Sequence, residues 1–196
     1  TGDKAKADAL FASAAKVMKL TLENNRVVVA SMEARVSLAA FDKDSGRFTL
    51  HVPTQGVWVQ KKLLAKIFGL PEDKFLVRTD DVGGGFGMKI FIYPEQVMTL
   101  FAARALGRPV KWTSERGEAF LTDTHGRANL THAELALDKD NNFLALRTHN
   151  IADMGAYLST YAPMIPTMAG TKVLSSVYRF QAVHARGEGV FTNTVP

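Results

Sequence analysis

Hydrophobic and polar residues alternate along this chain with two periods, one typical of helices and one typical of strands. Apolar residues recur three or four positions apart in residues 4–16, 55–68 and 94–106, which predicts three amphipathic helices. Shorter apolar or alternating runs predict strands at 17–22, 27–30, 36–41, 47–52, 75–77, 127–137 and 143–151. Helices mixed with hairpins predict an α+β fold, with a mixed sheet and packed helices, rather than a regular parallel α/β sheet.

Local signals mark the ends of two of these helices. Pro94 suits the first position of the helix at 94–106, and Gly107 follows its last residue. The stripe of this helix expected to face the core comprises Met98, Phe101, Ala102 and Ala105. Gly69 and Pro71 end the helix at 55–68. Its expected core-facing stripe comprises Val59, Leu63 and Ile67.

Two turn-rich segments predict hairpins. Residues 42–46 read Asp-Lys-Asp-Ser-Gly and join two predicted strands. Residues 138–142 read Asp-Lys-Asp-Asn-Asn and have the opening spacing of a calcium loop, but Phe143 stands where that loop needs glycine. A hairpin turn is therefore the better interpretation. Since neither a linker nor a repeat interrupts the pattern, we expect a single domain over residues 1–196.

Composition and charge narrow the range of functions. Hydrophobic residues make up 46% of the 196 residues and charged residues 22%, as in ordinary globular proteins. The sequence has no apolar run long enough for a membrane span and no secretory signal pattern, so we expect a cytoplasmic location. The net charge of +5 is spread along the chain, which argues against nucleic-acid binding. The absence of cysteine excludes disulfides, iron–sulfur ligation and a cysteine nucleophile within this chain.

The most informative stretch is the glycine-rich run at residues 81–89, which reads Asp-Val-Gly-Gly-Gly-Phe-Gly-Met-Lys. Glycines free the backbone to turn sharply and to point successive N–H groups outward, toward an anion or a metal-bound oxygen. A simple tight turn is the alternative interpretation. The run matches neither common phosphate-binding pattern, because Met88 stands where each needs glycine. The histidines lack metalloprotease spacing, so we expect no protein-held metal, and no serine lies in a nucleophile elbow, so hydrolase chemistry has no support.

Sequence motifs along most of the chain carry a family resemblance. The ordered motifs are Met32–Arg35, Ser45–Leu50, Thr54–Gln55, Leu64–Pro71, Asp81–Lys89, Tyr93–Glu95, Ala105–Trp112, Arg116, Thr124–Arg127, Asp153–Leu158 and Thr192–Pro196. In this order, the chain from about residue 25 onward resembles the molybdopterin-binding large subunit of the molybdenum hydroxylases. That family includes xanthine dehydrogenase, aldehyde oxidoreductase and aerobic carbon monoxide dehydrogenase, and the similarity is greatest to the last branch.

The resemblance implies a set of site residues. Gln55 matches the glutamine that hydrogen-bonds the molybdenum oxo group, and Gly84, Gly85, Phe86 and Gly87 match the loop that lies against the cofactor. Gln55 and Phe86 are the candidate catalytic residues. Phe86 either flanks the substrate channel or packs in the core. A side-chain amide and backbone N–H groups are neutral donors, and they can hold a metal-bound oxygen without ligating the metal.

The resemblance also implies cofactors and partners. The cofactor is a molybdenum pterin, in the cytosine dinucleotide form, with iron–sulfur clusters and FAD on other subunits or domains. The complete enzyme is expected to oxidise a small aldehyde, a heterocycle or carbon monoxide with oxygen from water. Ile90 stands where purine-oxidising members have glutamate, which argues against purine substrates.

The similar sequence ends before the family's Ala-Tyr-Arg loop and its distal general-base glutamate. The chain is therefore expected to be a fragment of the first molybdenum cofactor-binding domain of a longer subunit, without activity by itself. The alternative function is a non-catalytic binding or assembly module that retains the fold but not the cofactor.

Overall fold

The computed structural model describes all 196 residues, Thr1–Pro196, and they divide into two compact units. The first unit consists of Thr1–Val27 together with His125–Pro196. The second unit consists of Val28–Thr124, so its sequence is inserted within that of the first. Each unit has its own four-stranded sheet. A single domain over residues 1–196, which is expected from the sequence, stays a prediction.

The elements follow one another in the mixed order that the α+β prediction requires. The four α-helices are α1 (Lys4–Ala12), α2 (Val57–Phe68), α3 (Pro94–Leu106) and α4 (Arg116–Thr122). The eight strands are β1 (Lys16–Asn24), β2 (Val36–Asp42), β3 (Arg47–His51), β4 (Phe75–Arg78), β5 (Val110–Thr113), β6 (Asn129–Leu137), β7 (Phe143–Asp153) and β8 (Ala182–Val190). Short 3₁₀ turns lie at Glu72–Lys74, Met88–Ile90 and Gly170–Lys172, and one π-helical turn lies at Ile165–Ala169. The fold class is confirmed, and none of the helices is long and apolar enough to cross a membrane.

The sheet of the second unit has the order β4-β3-β2-β5. Strands β2 and β3 form the predicted hairpin, with Phe41 opposite Phe48. Strand β4 runs parallel to β3, and α2 provides the crossover between them. Parallel neighbours need such a long connection because a tight turn can only reverse the chain. Gln55 lies at the start of this crossover, and the glycine-rich run follows β4.

Four phenylalanines form the centre of the second unit's core. The rings of Phe48 and Phe75 stack with centroids 5.2 Å apart, and Phe41 and Phe68 lie against them at tilted angles. The buried aliphatic residues around them are Ala39, Leu50, Val52, Leu64, Ala65, Leu100 and Ala103. Aromatic pairs at these distances add to the free energy gained from burial. This core holds together the sheet and the two long helices, α2 and α3, and the glycine-rich loop lies between these helices in the sequence.

The bounds of α3 and the end of α2 are as predicted, but their predicted inward faces are wrong. In α3 the buried residues are Gln96, Thr99, Leu100 and Ala103, whereas Met98 and Phe101 are half exposed. The polar Thr99 faces inward because its hydroxyl bonds Ser37, with 2.5 Å between the oxygens. A search for apolar periodicity skips buried polar residues of this kind, so it selected the neighbouring stripe.

In α2 the buried residues are Gln60, Leu64 and Ala65, whereas Ile67 is half exposed. Gln60 is fully buried, and its amide donates to the carbonyl of Phe91. The predicted stripe again misses the buried polar position. Gly69 does end the helix, with φ at +64°, a left-handed conformation that glycine adopts readily.

The sheet of the first unit has the order β1-β6-β7-β8. Strands β6 and β7 form the second predicted hairpin, in which Asp138 accepts from the amides of Asp140 and Asn142, each at 2.8 Å. The turn interpretation of residues 138–142 is thus confirmed. Strand β8 joins β7 in parallel, and the sequence analysis did not predict it. Its alternation of alanine, glycine and charged residues lacks the apolar period that marks a strand.

Helix α1 packs on one end of this sheet. It ends at Ala12, and Lys16 already belongs to β1, so the predicted helix at 4–16 is too long at its C-terminus. Its buried residue Ala7 meets Ala136 and Ala145 of the sheet. Small side chains allow the helix backbone to lie close to the strands.

Candidate functional site

Gln55 lies in the short connection between β3 and α2. The carbonyl of Lys89 accepts two hydrogen bonds there, from the backbone N–H of Gln55 at 3.2 Å and from the Thr54 hydroxyl at 3.0 Å. The same hydroxyl accepts from the amide of Gly56 at 3.2 Å. Thr54 is buried, so these bonds are shielded from water. The backbone of Gln55 is therefore fixed directly to the segment that ends the glycine-rich run.

The Gln55 side chain reaches the glycine-rich loop itself. Its Oε1 atom accepts a hydrogen bond from the backbone N–H of Gly87 at 2.9 Å. This bond settles which end of the amide faces the loop, because only the oxygen can accept. Nε2 donates to no group of the chain, and the residue is exposed. Two N–H bonds are thus presented outward from a fixed position.

The glycine loop, residues 83–87, turns through several left-handed conformations. Gly84 and Gly87 have φ of +95° and +89°, which glycine tolerates well. Phe86 has φ of +49°, which is uncommon for a residue with a side chain. Strain of this kind persists only where the surroundings enforce it, and it is frequent at functional sites.

Two consecutive backbone donors in the glycine loop have no partner within the chain. The N–H of Gly83 and the N–H of Gly87 are bonded to side chains, and that of Gly84 is bonded to a neighbouring carbonyl. The N–H groups of Gly85 and Phe86 make no hydrogen bond. Successive free N–H groups in such a turn form a concave positive surface that suits an oxygen atom with negative charge.

The site leaves no room for side chains at two loop positions. A Cβ atom on Gly85 would lie 2.6 Å from Cδ of Gln55, and one on Gly84 would lie 2.8 Å from the Phe86 ring. Both distances are below any normal van der Waals contact. Glycine at position 85 therefore does more than permit a turn, because it allows the loop backbone to lie directly against the side-chain amide of Gln55.

Phe86 points away from the hydrophobic cores. Its side chain is 77% exposed, so core packing within this chain, one of its two expected roles, does not occur. Beside it, Ser31 is 1% exposed, and its hydroxyl has no hydrogen-bond partner. The Cβ of Ser31 lies 3.5 Å from the position that a Cβ on Gly84 would take. An aromatic ring, two free amides and the Gln55 amide thus share one small area of the surface.

An ion pair with a buried lysine lies next to the loop, and the sequence did not mark it as part of the site. Lys89 Nζ donates to Glu33 Oε2 at 2.7 Å. The amide of Gly83 donates to the same oxygen at 2.9 Å. Burial opposes ionisation of Glu33, but these two donors outweigh it and hold the pKa of Glu33 below its usual value. Both residues lie within the ordered motifs, but no local pattern indicates that two residues 56 positions apart are paired.

The comparisons with known proteins identify the family. The model of the molybdopterin cofactor-binding domain matches residues 1–196, which is the whole chain. This chain belongs to that family. Among curated relatives, the carbon monoxide dehydrogenase large chain of Hydrogenophaga pseudoflava is 34% identical over 195 residues. The nicotine 6-hydroxylase large subunit of Paenarthrobacter nicotinovorans is 31% identical over 191 residues.

Solved structures show the same similarity in three dimensions. The chain aligns with quinoline 2-oxidoreductase from Pseudomonas putida 86 at 35% identity and a TM-score of 0.88, over 96% of this chain. It aligns with the reconstituted CO dehydrogenase from Oligotropha carboxidovorans at 34% identity and a TM-score of 0.90, over 99% of this chain. In each case it covers 24% of that protein's chain. The molybdopterin cofactor-binding chain thus spans about a quarter of the length of these relatives, and it likewise covers 24% of the Hydrogenophaga protein.

Proposed function

We propose that this chain is part of a molybdenum-dependent oxidoreductase and forms one wall of its cofactor site. The observation that carries the proposal is the orientation of Gln55, whose Oε1 is bound to the amide of Gly87 while its Nε2 is left to donate outward. The donors of this wall are neutral, as suits a metal whose ligands belong to the cofactor. Within this chain, no three histidine or carboxylate side chains come close enough to hold a metal ion.

The donor set fits a molybdenum pterin. Gln55 Nε2 and the N–H groups of Gly85 and Phe86 would bind oxygen atoms of the cofactor. These donors lie close together because Gly85 has no Cβ, which would otherwise collide with the Gln55 side chain. When bound, the cofactor supplies the two-electron chemistry of substrate oxidation. The chain's contribution is electrostatic, because donors fixed before the reaction need no reorganisation as charge develops on an oxygen.

We further propose that the substrate is small: an aldehyde, a heterocycle or carbon monoxide. The named relatives act on carbon monoxide, nicotine and quinoline, which supports this range. The exposed ring of Phe86 would line the approach to the cofactor. Ile90 is apolar, and its Cγ1 lies 3.8 Å from the position that a Cβ on Gly56 would take, next to Gln55. It offers no carboxylate with which to orient a purine.

The complete enzyme would contain further parts. A further relative is subunit gamma of the 6-hydroxypseudooxynicotine dehydrogenase complex, which supports assembly with other subunits. We propose that these carry iron–sulfur clusters and FAD, since this chain has no cysteine to ligate a cluster. The cytosine dinucleotide form of the cofactor and a cytoplasmic location stay predictions.

The test is a measurement of bound molybdenum in the full-length subunit, purified with its partner subunits. We expect about one molybdenum per subunit by mass spectrometry, and turnover of at least one of benzaldehyde, quinoline and carbon monoxide with an artificial electron acceptor. Gln55→Ala should lower turnover roughly 100-fold, as is usual when a donor to a developing oxyanion is lost. The matched control is Gln181→Ala, which removes an exposed glutamine that lies in the other unit.

The results divide the two candidate functions. A subunit that contains no molybdenum would favour the non-catalytic binding or assembly module. Equal loss of turnover in Gln55→Ala and Gln181→Ala would remove Gln55 from the site. Retained molybdenum with lost turnover, in Gln55→Ala alone, would support the role proposed for this side chain.

A further inference from the structure

The ion pair of Glu33 and Lys89 holds both ends of the glycine loop. At the first end, Glu33 binds Gly83 twice: its Oε2 accepts from the Gly83 amide at 2.9 Å, and its own amide donates to the Gly83 carbonyl at 3.0 Å. A Cβ on Gly83 would lie 2.5 Å from Cβ of Glu33, so only glycine allows this approach. At the other end, Lys89 donates to the same Glu33 oxygen at 2.7 Å. One carboxylate oxygen thereby fixes the distance across the loop.

The same lysine extends this constraint to Gln55. Its backbone carbonyl accepts from the backbone N–H of Gln55 at 3.2 Å and from the Thr54 hydroxyl at 3.0 Å. Gln55 in turn accepts from Gly87 within the loop. The hydrogen bonds therefore form a closed circuit, and a shift of Lys89 would displace the loop and the Gln55 backbone together.

Burial of the lysine distinguishes this ion pair from an ordinary surface pair. The Lys89 side chain is 1% exposed and that of Glu33 is 35% exposed, whereas the Lys4 side chain in the Lys4–Asp8 pair is 69% exposed. Desolvation of the lysine opposes the attraction between the charges, so such a pair contributes little net stability. The best-attested use of such groups is to specify one arrangement among several. Here the arrangement specified is that of a strained loop with two free N–H groups.

We propose that the Glu33–Lys89 ion pair positions the glycine loop, so that Gln55 Nε2 and the N–H groups of Gly85 and Phe86 keep a fixed orientation toward the cofactor. This proposal rests on the proposed function. Glu33 and Lys89 are positioning residues, because they act through the loop and contact no reacting atom. Their loss changes the environment of the metal, and it does so beyond any effect on folding.

The experiment compares variants of the full-length holoenzyme. Glu33→Ala removes the shared acceptor, Lys89→Met removes the ammonium while keeping most of the buried volume, and Glu33→Gln keeps an oxygen that can accept both bonds. The control is Glu95→Gln, which weakens another buried pair of this unit, since Glu95 accepts from the 4% exposed Arg35 side chain at 3.0 Å. Each protein is measured for molybdenum content, for thermal unfolding, and for its electron paramagnetic resonance spectrum after partial reduction with dithionite.

We expect Glu33→Ala and Lys89→Met to alter the resonance spectrum and to lower turnover per bound molybdenum about tenfold or more, with KM within about twofold. Glu33→Gln should recover most of the parent spectrum, and Glu95→Gln should keep it whatever its melting temperature. Parent-like spectra in Glu33→Ala and Lys89→Met would overturn the proposal even if both variants melt earlier. Should those two variants fail to fold, Glu33→Asp takes their place, because its shorter side chain draws the shared acceptor away from Gly83 and Lys89. We expect an altered spectrum in Glu33→Asp, and a parent-like one would overturn the proposal. A parent holoenzyme without molybdenum contradicts the proposed function instead.

Discussion

Two glycine turns in this chain are fixed by similar hydrogen bonds, but the remaining donors are bonded in one turn and free in the other. In the second unit, Glu33 accepts from the Gly83 amide and from the cation Lys89. In the first unit, Asp153 accepts from the Gly155 amide at 2.7 Å and from the cation Arg26 at 2.6 Å. Each turn is therefore fixed by one carboxylate, one glycine amide and one cation.

The turn at Asp153 is satisfied within its own unit. Thr192 donates to Asp153 at 2.6 Å, and Arg26 also donates to the carbonyl of Val195 at 2.8 Å and to the hydroxyl of Thr194. Gly155 lies directly against Pro196. The chain itself occupies the donors and the space around this turn.

The glycine loop leaves its inner donors open. The N–H groups of Gly85 and Phe86 and the Nε2 atom of Gln55 bond to nothing in the chain, although the loop is fixed at both ends. A loop that is held rigid while its N–H donors remain free is suited to binding the oxygen atoms of a ligand. A glycine amide bound to a paired carboxylate is thus common to a structural turn and to a candidate binding loop, and the unbonded N–H groups are what distinguish the loop.

The largest effect is expected when the glycine loop is tested without the rest of its subunit. The 196-residue chain has the open donors but spans only about 24% of its relatives, so we expect no turnover by the purified chain alone. The measurement is the assay with benzaldehyde, quinoline and carbon monoxide, run beside the full-length holoenzyme. Activity of the short chain above that of a Gln55→Ala version would contradict this prediction.

The closed turn should be sensitive in its stability. In Gly155→Ala the new Cβ would lie 2.5 Å from the Pro196 nitrogen, at a φ of +73°. We expect a loss of about 3 kcal/mol or more, because backbone must move and a left-handed alanine is strained. Urea unfolding followed by near-ultraviolet circular dichroism measures the loss. Gly69→Ala, with a similar φ of +64° but open space around it, is the control and should cost only about 1 kcal/mol.

The open loop should be sensitive in its function. In Gly85→Ala the new Cβ would displace the Gln55 side chain, from which it would be 2.6 Å away. A misplacement of about 1 Å can cost roughly 100-fold in rate, so we expect a loss of 10- to 100-fold in turnover per molybdenum with about 1 kcal/mol of destabilisation. Gly117→Ala, whose new Cβ meets nothing within 4 Å, should leave turnover unchanged. An unaltered rate in Gly85→Ala would show that the close approach to Gln55 is not needed.

Much of the scaffold of both turns could be predicted from the sequence. The two hairpins, the α3 bounds and the end of α2 at Gly69 follow from local signals, because turn residues and helix caps act within a few positions. The run at 27–30 forms no strand and contributes only an isolated bridge from Val27 to Gly126. Strand β5 and helix α4 were missed. Each is only a few residues long, 4 and 7 respectively, which is too short to show a period.

The candidate site divides in the same way. The glycine run and Gln55 could be selected because a family resemblance marks them, and the structure places the Gly87 amide 2.9 Å from Gln55 Oε1. The Glu33–Lys89 pair could not be selected, since it joins residues 56 positions apart and a lysine in a sequence reads as solvent-exposed. Only the fold shows that Lys89 is buried and that its single carboxylate partner is also the cap of Gly83.

Acid should weaken both turns, and this is the smallest of the effects. Burial opposes the ionisation of Asp153, but hydrogen bonds from Thr192, Arg26 and Gly155 outweigh it and hold its pKa below the ordinary 3.8. The pKa of Glu33 is likewise held below the ordinary 4.5. A carboxyl whose pKa is lower in the folded state stabilises the fold fully above its unfolded pKa, and loses that contribution as the pH falls through its folded pKa.

We therefore expect the urea midpoint of the parent chain to be constant between about pH 7 and 6 and to fall progressively below about pH 5, as the two carboxyls are protonated. Asp153→Asn should have a lower midpoint at neutral pH and a shallower fall in acid, since the group that titrates in the closed turn is gone. Glu33→Gln should flatten the curve less, because the Glu33 side chain is 35% exposed and water screens its charge. Curves of equal slope for the parent and Asp153→Asn would mean that other carboxyls govern the acid transition, and that the closed turn does not depend on the charge of Asp153.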